Sequence, residues 1–391
     1  MNILIVNHYY ATHGGGIELV IRQLLHALYE AVPEANFTWA ASDCDAANDG
    51  PNFTCLPMRC SNAAERRYGV ALPFWYPSAL WRLACAVKRH DLIWLHDTLY
   101  LGNIAAFIFA KWHRKRVIIT QHVGAVPYKN LLLRGLTRGG NRLVSVPMLK
   151  FADQSVFIAA QVREFFAARI KHWRRKPLLI HNGVQHTIFK TVTDDRRSVL
   201  RQKFGIDDEP MLLFVGRFVT RKGLPILEKL TSALPEAAWV FAGRGPLDPS
   251  GWGRSNCMIF HDRSGAGIAE LYQAADLLVL PSVGEGLPLV MQEAIACGLP
   301  VLCAPETAAA DPRLVALLFT GRVIPEDVAA TAYNWTAHLR SILDDPDMRA
   351  TRSAALAAHA AEQWSWTRAA EKYAKIFRGL TPKPKEPGTG G

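Results

Sequence analysis

Ala275-Asp276-Leu277-Leu278-Val279-Leu280-Pro281-Ser282-Val283-Gly284-Glu285-Gly286-Leu287-Pro288-Leu289-Val290-Met291-Gln292-Glu293-Ala294-Ile295-Ala296-Cys297-Gly298-Leu299-Pro300-Val301 is the stretch that decides the architecture. Leu277 to Leu280 is a short apolar run closed by Pro281, the pattern of a strand buried on both faces. A glycine-bearing loop carrying Glu285 follows, and a helix starts near Pro288, where proline suits the first turn. A second strand opens at Pro300. Strand, loop, helix and strand in this order make a parallel crossover unit.

The same rhythm runs outward in both directions. Strands are expected at Met211–Val215, Trp239–Ala242, Met258–Phe260 and Pro300–Cys303, with helices near 222–231, 266–275 and 288–297. The first half repeats it: Asn2–Asn7, Phe37–Ala41, Leu92–Leu95, Val117–Thr120, Ser155–Ile158 and Leu178–Ile180 read as strands. Ile17, Val20, Ile21, Leu24, Leu25 and Leu28 recur at the spacing of one helical face. A polar stretch, Thr191 to Pro210, is read as the hinge plus one helix. Two doubly wound units in tandem place a ligand cleft between the carboxyl ends of both sheets. The chain of 391 residues suits two domains, placed at 1–185 and 186–365. A last helix over 366–380 and a disordered tail over 381–391, rich in Pro, Gly and Lys, complete the reading.

Composition narrows the class. Half of the residues are hydrophobic and a fifth are charged, as in ordinary globular proteins. No run reaches the ~18–20 apolar residues a membrane span requires, and the opening MNILIVNHYY reads as a buried strand, not a signal peptide. Seven scattered cysteines without a Cys-x-x-Cys pair point to a reducing compartment, not to disulfides or zinc. On that reading the three glycosylation sequons, such as Asn36-Phe37-Thr38, are chance matches. The net charge of +11 is uneven: residues 1–185 hold 22 Lys/Arg against 11 Asp/Glu, and the remainder balances at 23 of each. The first half thus faces something anionic, a membrane surface or a phosphate-bearing acceptor, or simply presents a solvated basic face.

Candidate chemistry sits on the loops after strands. Gly14-Gly15-Gly16 follows the first strand and opens the first helix, where bare backbone and the helix N-terminus favour a phosphate. Arg217 and Lys222, in Val215-Gly216-Arg217-Phe218-Val219-Thr220-Arg221-Lys222-Gly223, place two cations where a diphosphate needs them. Phe241-Ala242-Gly243-Arg244-Gly245-Pro246 is a similar strand-to-turn element. Glu285 can reach a sugar in the cleft, and the amides from Gly286 to Val290 point toward an anion. Glu293, amid apolar neighbours, can accept both hydroxyls of a ribose.

These segments together resemble glycosyltransferase family 4, a retaining group with the GT-B fold. EGLPLVMQEAIACGLPV fits that family's frame of two glutamates eight positions apart, and VGRFVTRKG, AGRGP, HNGV (His181–Val184), GGGIE, TQHVG and the terminal WSWTRAAEKYAKIF resemble its other elements. The resemblance implies an α/β GT-B architecture: two Rossmann-like doubly wound parallel-sheet domains facing across a deep cleft. The first would bind the acceptor and the second the nucleotide sugar, with the last helix crossing back to the first domain. It implies that Arg217 and Lys222 hold the donor diphosphate, that Glu293 binds the ribose and that Glu285 contacts the transferred sugar. His122 would lie beside the reacting centre, and Gly15 and Gly16 would close the phosphate site from the other domain. Gly243, Gly286, Leu287, Leu289 and Val290 complete the expected donor contacts. No metal or other cofactor is expected, since two cations and helix-end amides can stabilise a leaving diphosphate.

The activity implied is metal-independent transfer of a hexose-type sugar, with retention, from a nucleoside-diphosphate sugar to a glycan or lipid-linked acceptor, as in polysaccharide biosynthesis. The expected place is cytoplasmic or peripheral on the inner face of the cytoplasmic membrane; no nucleic acid is expected as a partner. A sugar-nucleotide epimerase and a non-catalytic sugar-nucleotide-binding protein of the same fold stay open as alternatives. The chain departs from the family frame at Leu287-Pro288, at Phe260-His261-Asp262-Arg263 in the nucleobase segment, and at Cys303 to Asp311, which lacks a glycine-rich turn. Asp43-Cys44-Asp45 matches the metal motif of the other glycosyltransferase fold and is read as coincidence. His96-Asp97 is read as a capping or acceptor element, and His8 and His13 as loop-packing residues. The first domain also carries Phe74-Trp75-Tyr76 and a basic run, Lys129, Arg134, Arg138, Arg142 and Lys150, whose three arginines, every four residues, form a stripe if helical, suited with Leu131 to Leu133 and Leu136 to an anionic leaflet or else to solvent.

Overall fold

Strand β1 (Asn2–Val6) pairs in parallel with β2 (Asn36–Ser42) on one side and with β6 (Leu92–His96) on the other, in registers Ile3↔Phe37 and Ile3↔Leu92. This is the centre of the first sheet in a computed structural model that describes residues 1–68, 72–124 and 131–381. The sheet continues outward through β3 (Phe53–Met58) beyond β2, and through β7 (Arg116–Gln121), β8 (Gln154–Phe157) and β9 (Leu178–Leu179) beyond β6, giving the order β3-β2-β1-β6-β7-β8-β9. A small antiparallel pair, β4 (Cys60–Ser61) and β5 (Phe74–Trp75), stands apart. β3 escaped the sequence reading because Thr54, Cys55 and Pro57 break its apolar run; Pro57 is tolerated because β3 is an edge strand.

The second sheet has six parallel strands: β10 (Met211–Val215), β11 (Ala238–Ala242), β12 (Cys257–Phe260), β13 (Leu277–Leu280), β14 (Val301–Cys303) and β15 (Phe319–Thr320). Their order is β12-β11-β10-β13-β14-β15. Every side chain of β10, β11, β13 and β14 is buried, so the runs lack alternation: helices cover both faces of the sheet. The polar stretch after residue 190 supplies helix Asp194–Lys203, capped by Thr193 and fastened to the second sheet by Arg197 and Arg201 on Asp276 at 2.7 and 3.0 Å.

Two chain crossings join the halves. At the first, the amide of Val184 donates to Trp364 O at 3.0 Å, and Gln292 Nε2 donates to Asn182 O at 2.8 Å. Gly183 packs so closely on the backbone of Trp366 that no side chain fits there. At the second, helix Trp366–Leu380 returns to the first sheet. Its apolar face, Ala370, Tyr373, Ala374 and Phe377, joins Ile3, Ile5, Trp94 and Ile118 in one buried cluster, and Tyr373 Oη lies 2.9 Å from Thr120 Oγ1. The other edge of that face packs on helix Gly16–Ala31. Among the described residues no helix is long and apolar enough to cross a membrane. Lys129 and the tail from residue 382 lie outside the described residues.

Candidate active site

Both sheets change direction at their first strand: β1 lies between β2 and β6, and β10 between β11 and β13. Ligands of doubly wound sheets bind beyond the carboxyl ends of the strands at such switch points. In the first domain that position holds Asn7 and His8 after β1, His96 and Asp97 at the end of β6, and His122 after β7. In the second it holds the loop after β10, with Arg217 and Lys222, and the loop after β13, with Glu285.

The first-domain wall is a buried polar network. Gly15 is the N-cap of helix Gly16–Ala31, with extended backbone, and no side chain caps that helix. Glu18, 2% exposed, turns its carboxyl back so tightly against Gly15 that an added Cβ would collide with it. Glu18 Oε1 is 3.0 Å from His8 Nε2 and accepts from Asn7 Nδ2 at 3.4 Å. Burial raises the Glu18 carboxyl to about 7 and lowers the His8 imidazole well below its usual value, so the pair shares one proton rather than carrying two charges. His8 also stacks on Tyr100, ring centroids 3.7 Å apart. Among the described residues nothing lies within 4 Å of a Cβ built on Gly16.

His122 is 3% exposed and neutral: burial lowers its imidazole to about 3. Its Nε2 meets His96 Nδ1 at 3.0 Å, and its amide donates to Asp97 Oδ1 at 2.7 Å. Asp97 takes a left-handed backbone (φ 64°), held by Asn103 Nδ2 donating to its carbonyl at 2.9 Å. His96-Asp97 is therefore a positioning element for His122. His13 bridges Asp45 and Glu65 at 2.9 and 3.1 Å, while Asp43 accepts the Cys60 amide. The acids of the Asp43-Cys44-Asp45 motif are thus engaged in holding loops together.

On the second domain, Gly223 (φ 85°) lets the Lys222 loop press onto the carbonyl of Pro281, and Val283 N donates to Arg221 O at 3.2 Å. The two ligand loops are stitched into one wall. Lys222 Nζ sits 3.0 Å from Glu285 Oε1, both side chains being largely shielded. The contact is charge proximity without the alignment of a hydrogen bond, for that oxygen has no well-aligned donor. Burial alone would raise the Glu285 carboxyl, but Lys222 and Arg221 outweigh it and hold it below its ordinary value. Glu293 faces the opposite balance: burial raises it to about 7, only partly offset by Tyr272 Oη donating at 3.2 Å. Helix Leu289–Ala296 has no capping side chain, and the amides of Met291 and Gln292 already bond Pro288 O. Those of Leu289 and Val290 remain for an anion.

The two walls meet at Gly286. An added Cβ there would collide with the carbonyl of His122, and Gln161 Nε2 donates to Gly286 O at 2.9 Å and approaches Glu285 O at 3.4 Å. The structure therefore brings His122, Lys222, Glu285 and Gly286 together and sets Glu293 one helical stretch on. Arg217 stands exposed and makes no ion pair among the described residues. Gly243 serves packing, since its Cβ position is taken by the carbonyl of Gly216. Leu287 buries its side chain at 3% exposure, so it offers the cleft backbone only. In the expected nucleobase segment, His261 Nδ1 lies 3.2 Å from Gly243 O, Asp262 pairs with Arg244, and Arg263 lies over Phe260. Sequence reasoning missed Tyr272, Gln161 and Arg221. Tyr272 reads as one more apolar residue of its helix, and Gln161 carries no motif at all.

Two facing parallel sheets, each with its ligand loops at the switch point and a last helix returning to the first sheet, define the GT-B architecture of glycosyltransferases. Residues 196–357 match the family model "Glycosyl transferases group 1". The resemblance drawn from the sequence is thereby borne out. A D-inositol 3-phosphate glycosyltransferase of Kineococcus radiotolerans is 31% identical over 46% of this chain and 47% of its own length. A GDP-mannose-dependent alpha-(1-6)-phosphatidylinositol monomannoside mannosyltransferase of Mycolicibacterium smegmatis is 29% identical over 80% of this chain and 83% of its own. The chain spans about half the length of the first curated relatives it matches. Sucrose-phosphate synthase from Thermosynechococcus elongatus shares the fold, with a TM-score of 0.74 at 20% identity over 97% of this chain and 99% of that one.

Proposed function

We propose that the chain is a glycosyltransferase that moves a hexose-type sugar from a nucleoside-diphosphate sugar to a glycan or lipid-linked acceptor. The observation that carries this reading is the Lys222–Glu285 pair, with the adjoining Gly286 packed on the His122 carbonyl across the domain gap. A shielded cation and carboxylate in one wall suit a diphosphate and a sugar lying side by side: Lys222 turns to the phosphates while Glu285 accepts from sugar hydroxyls. The exposed Arg217 swings onto the same diphosphate, and the free amides of Leu289 and Val290 add to it. Glu293, aligned by Tyr272, takes the ribose hydroxyls. With cations and amides supplied by the chain, the leaving diphosphate is stabilised without a metal. A sugar with its leaving group and acceptor on the same face reacts with retention, the departing phosphate taking the acceptor proton.

A lipid-linked acceptor is supported by the relative named for a phosphatidylinositol mannoside and by the surface of the first domain. Helices Pro77–Arg89 and Leu101–Trp112 pack together and expose Trp81 (72%) and Trp112 (82%), beside Lys111, Arg114 and Lys115. The helical run 131–151 carries Arg138 and Arg142 straight through Gly139-Gly140, by way of one π-turn, and exposes Leu143 at 75%. Indole and leucine amid cations suit the headgroup layer of an anionic membrane.

The test is donor turnover. Lys222→Ala and Arg217→Ala are each expected to lower it about 100-fold or more, the scale of a lost transition-state donor. Unchanged turnover in both variants removes the assignment. Donor bound but left intact selects the non-catalytic sugar-nucleotide-binding alternative, and recovery of an epimerised donor selects the epimerase.

A further inference from the structure

A second cavity, of about 300 Å³, lies at the junction where the chain crosses between the domains. Its wall is drawn from both halves: His181 from the first crossing, Asp311 and Arg313 from the second domain, and Arg368 and Lys372 from the returning helix. The only acidic lining group among the described residues is already saturated. Asp311, 1% exposed, accepts from Arg313 Nε and Nη2 at 2.9 and 2.8 Å and from His359 Nε2 at 3.0 Å, and His181 Nε2 stands 3.5 Å away. Burial opposes its charge, but these donors hold the carboxyl well below its ordinary value. Arg313 is spent on Asp311 and on Gln363 Oε1 at 2.7 Å.

What is left over is positive. Arg368 and Lys372 stand one helical turn apart on the same face, with Ala369 between them leaving room. Both are exposed, and neither makes an ion pair among the described residues. They rise from the first two turns of a fifteen-residue helix whose N-cap, Ser365, makes no side-chain capping bond. We infer that this junction cavity binds a small phosphorylated anion through Arg368 and Lys372. A volume at the bottom of the ~300–1,000 Å³ range of ligand pockets admits a phosphate or the phosphate end of a small ester, and excludes a whole nucleotide sugar. Such an anion touches both domains and the returning helix at once, and its occupancy couples phosphate supply to the stiffness of the junction. The site is separate from the donor cleft, and the inference does not depend on the reading of that cleft.

Calorimetry of the full chain in chloride buffer tests it, with inorganic phosphate and glucose 6-phosphate as probes and glucose as the control. Millimolar or tighter binding of a phosphate probe is expected. It should weaken about tenfold or more in Arg368→Ser/Lys372→Ser, the scale of losing charge-assisted hydrogen bonds, and remain unchanged in Lys222→Ala. Preference for glucose 6-phosphate over inorganic phosphate marks an ester as the ligand; equal affinity marks the free ion. Absence of heat with both probes, equal affinity in the double variant, or loss of binding in Lys222→Ala each overturns the inference. The two substituted side chains are exposed, and a thermal melt of the variant separates lost binding from lost folding. Should donor turnover prove absent while phosphate binding follows this pattern, only the cleft assignment falls.

Discussion

Gly286→Ala is the smallest change that reaches the catalytic proposal through geometry alone. The position is not one where glycine's φ is required, since Gly286 is not among the positive-φ glycines. Alanine there is comfortable within its own domain, and the helix and strand around it keep their contacts. The obstacle is the backbone carbonyl of His122, across the gap, which stands where the methyl must go. A carbonyl cannot rotate aside as a side chain does, because the His122 amide is tied to Asp97 and the imidazole to His96. Ile158 Cδ1, 3.7 Å from the new methyl, closes another way out. The gap must therefore widen by roughly 1 Å, and displacement on that scale costs about 100-fold in rate when reacting groups are positioned by closure. That is close to 2.7 kcal/mol of transition-state stabilisation. Gln161, whose bond to Gly286 O is 2.9 Å, stretches with it. The assay is steady-state sugar transfer with a thermal melt alongside. The expected result is a loss in kcat/KM near 100-fold, with nucleotide affinity changed far less, because the side chains proposed to hold the nucleotide, Arg217, Lys222 and Glu293, all lie in the second domain. Turnover within threefold of the parent enzyme would refute the claim that this contact sets the catalytic distance.

The remaining expectations concern charge, support and surface. Glu293, raised to about 7 by burial, has to be ionised to accept two ribose hydroxyls, so nucleotide affinity should fall about tenfold from pH 8 to pH 6. Glu293→Gln should flatten that dependence in a titration. The sign for stability is the reverse: a carboxyl raised above its unfolded value of 4.5 favours the fold most below pH 4.5 and loses that contribution as pH climbs through 7. Melts of the ligand-free protein should therefore show Glu293→Gln gaining relative stability at pH 8. Tyr272→Phe removes the one hydrogen bond that lowers Glu293, at a cost of about 1 kcal/mol, and should move the pH midpoint of nucleotide binding upward. Trp81→Ser with Trp112→Ser should weaken sedimentation with anionic vesicles about tenfold while leaving transfer to a water-soluble acceptor intact. Equal sedimentation would separate these indoles from any membrane role.

How far this site is legible in the sequence depends on whether a residue's partner is local. The loop carrying Glu285 could be read because its local frame lies within thirty residues: a four-residue buried strand, a glycine turn, a helix entered through Pro288. The same holds for Gly14-Gly15-Gly16 and for Lys222. What the sequence could not give is what each of these faces. In its motif Lys222 reads as a cation suited to a diphosphate, and the fold pairs it with Glu285, sixty-three positions on. On the proposed donor role, the carboxylate beside Lys222 has to be displaced or shared when a donor arrives, a cost invisible in the motif. Gly286 reads as loop flexibility; its reason is a carbonyl in the other domain. Gln161 and Tyr272 have no periodicity or motif to mark them, because their roles consist of one or two hydrogen bonds to residues more than twenty positions away. The motifs thus state which chemistry is carried, and the tertiary contacts state how it is restrained. If the proposed activity holds, the spacing of the His122 and Glu285 walls belongs to that restraining layer, and a change at Gly286 or Gln161 is expected to alter it with every motif residue left in place.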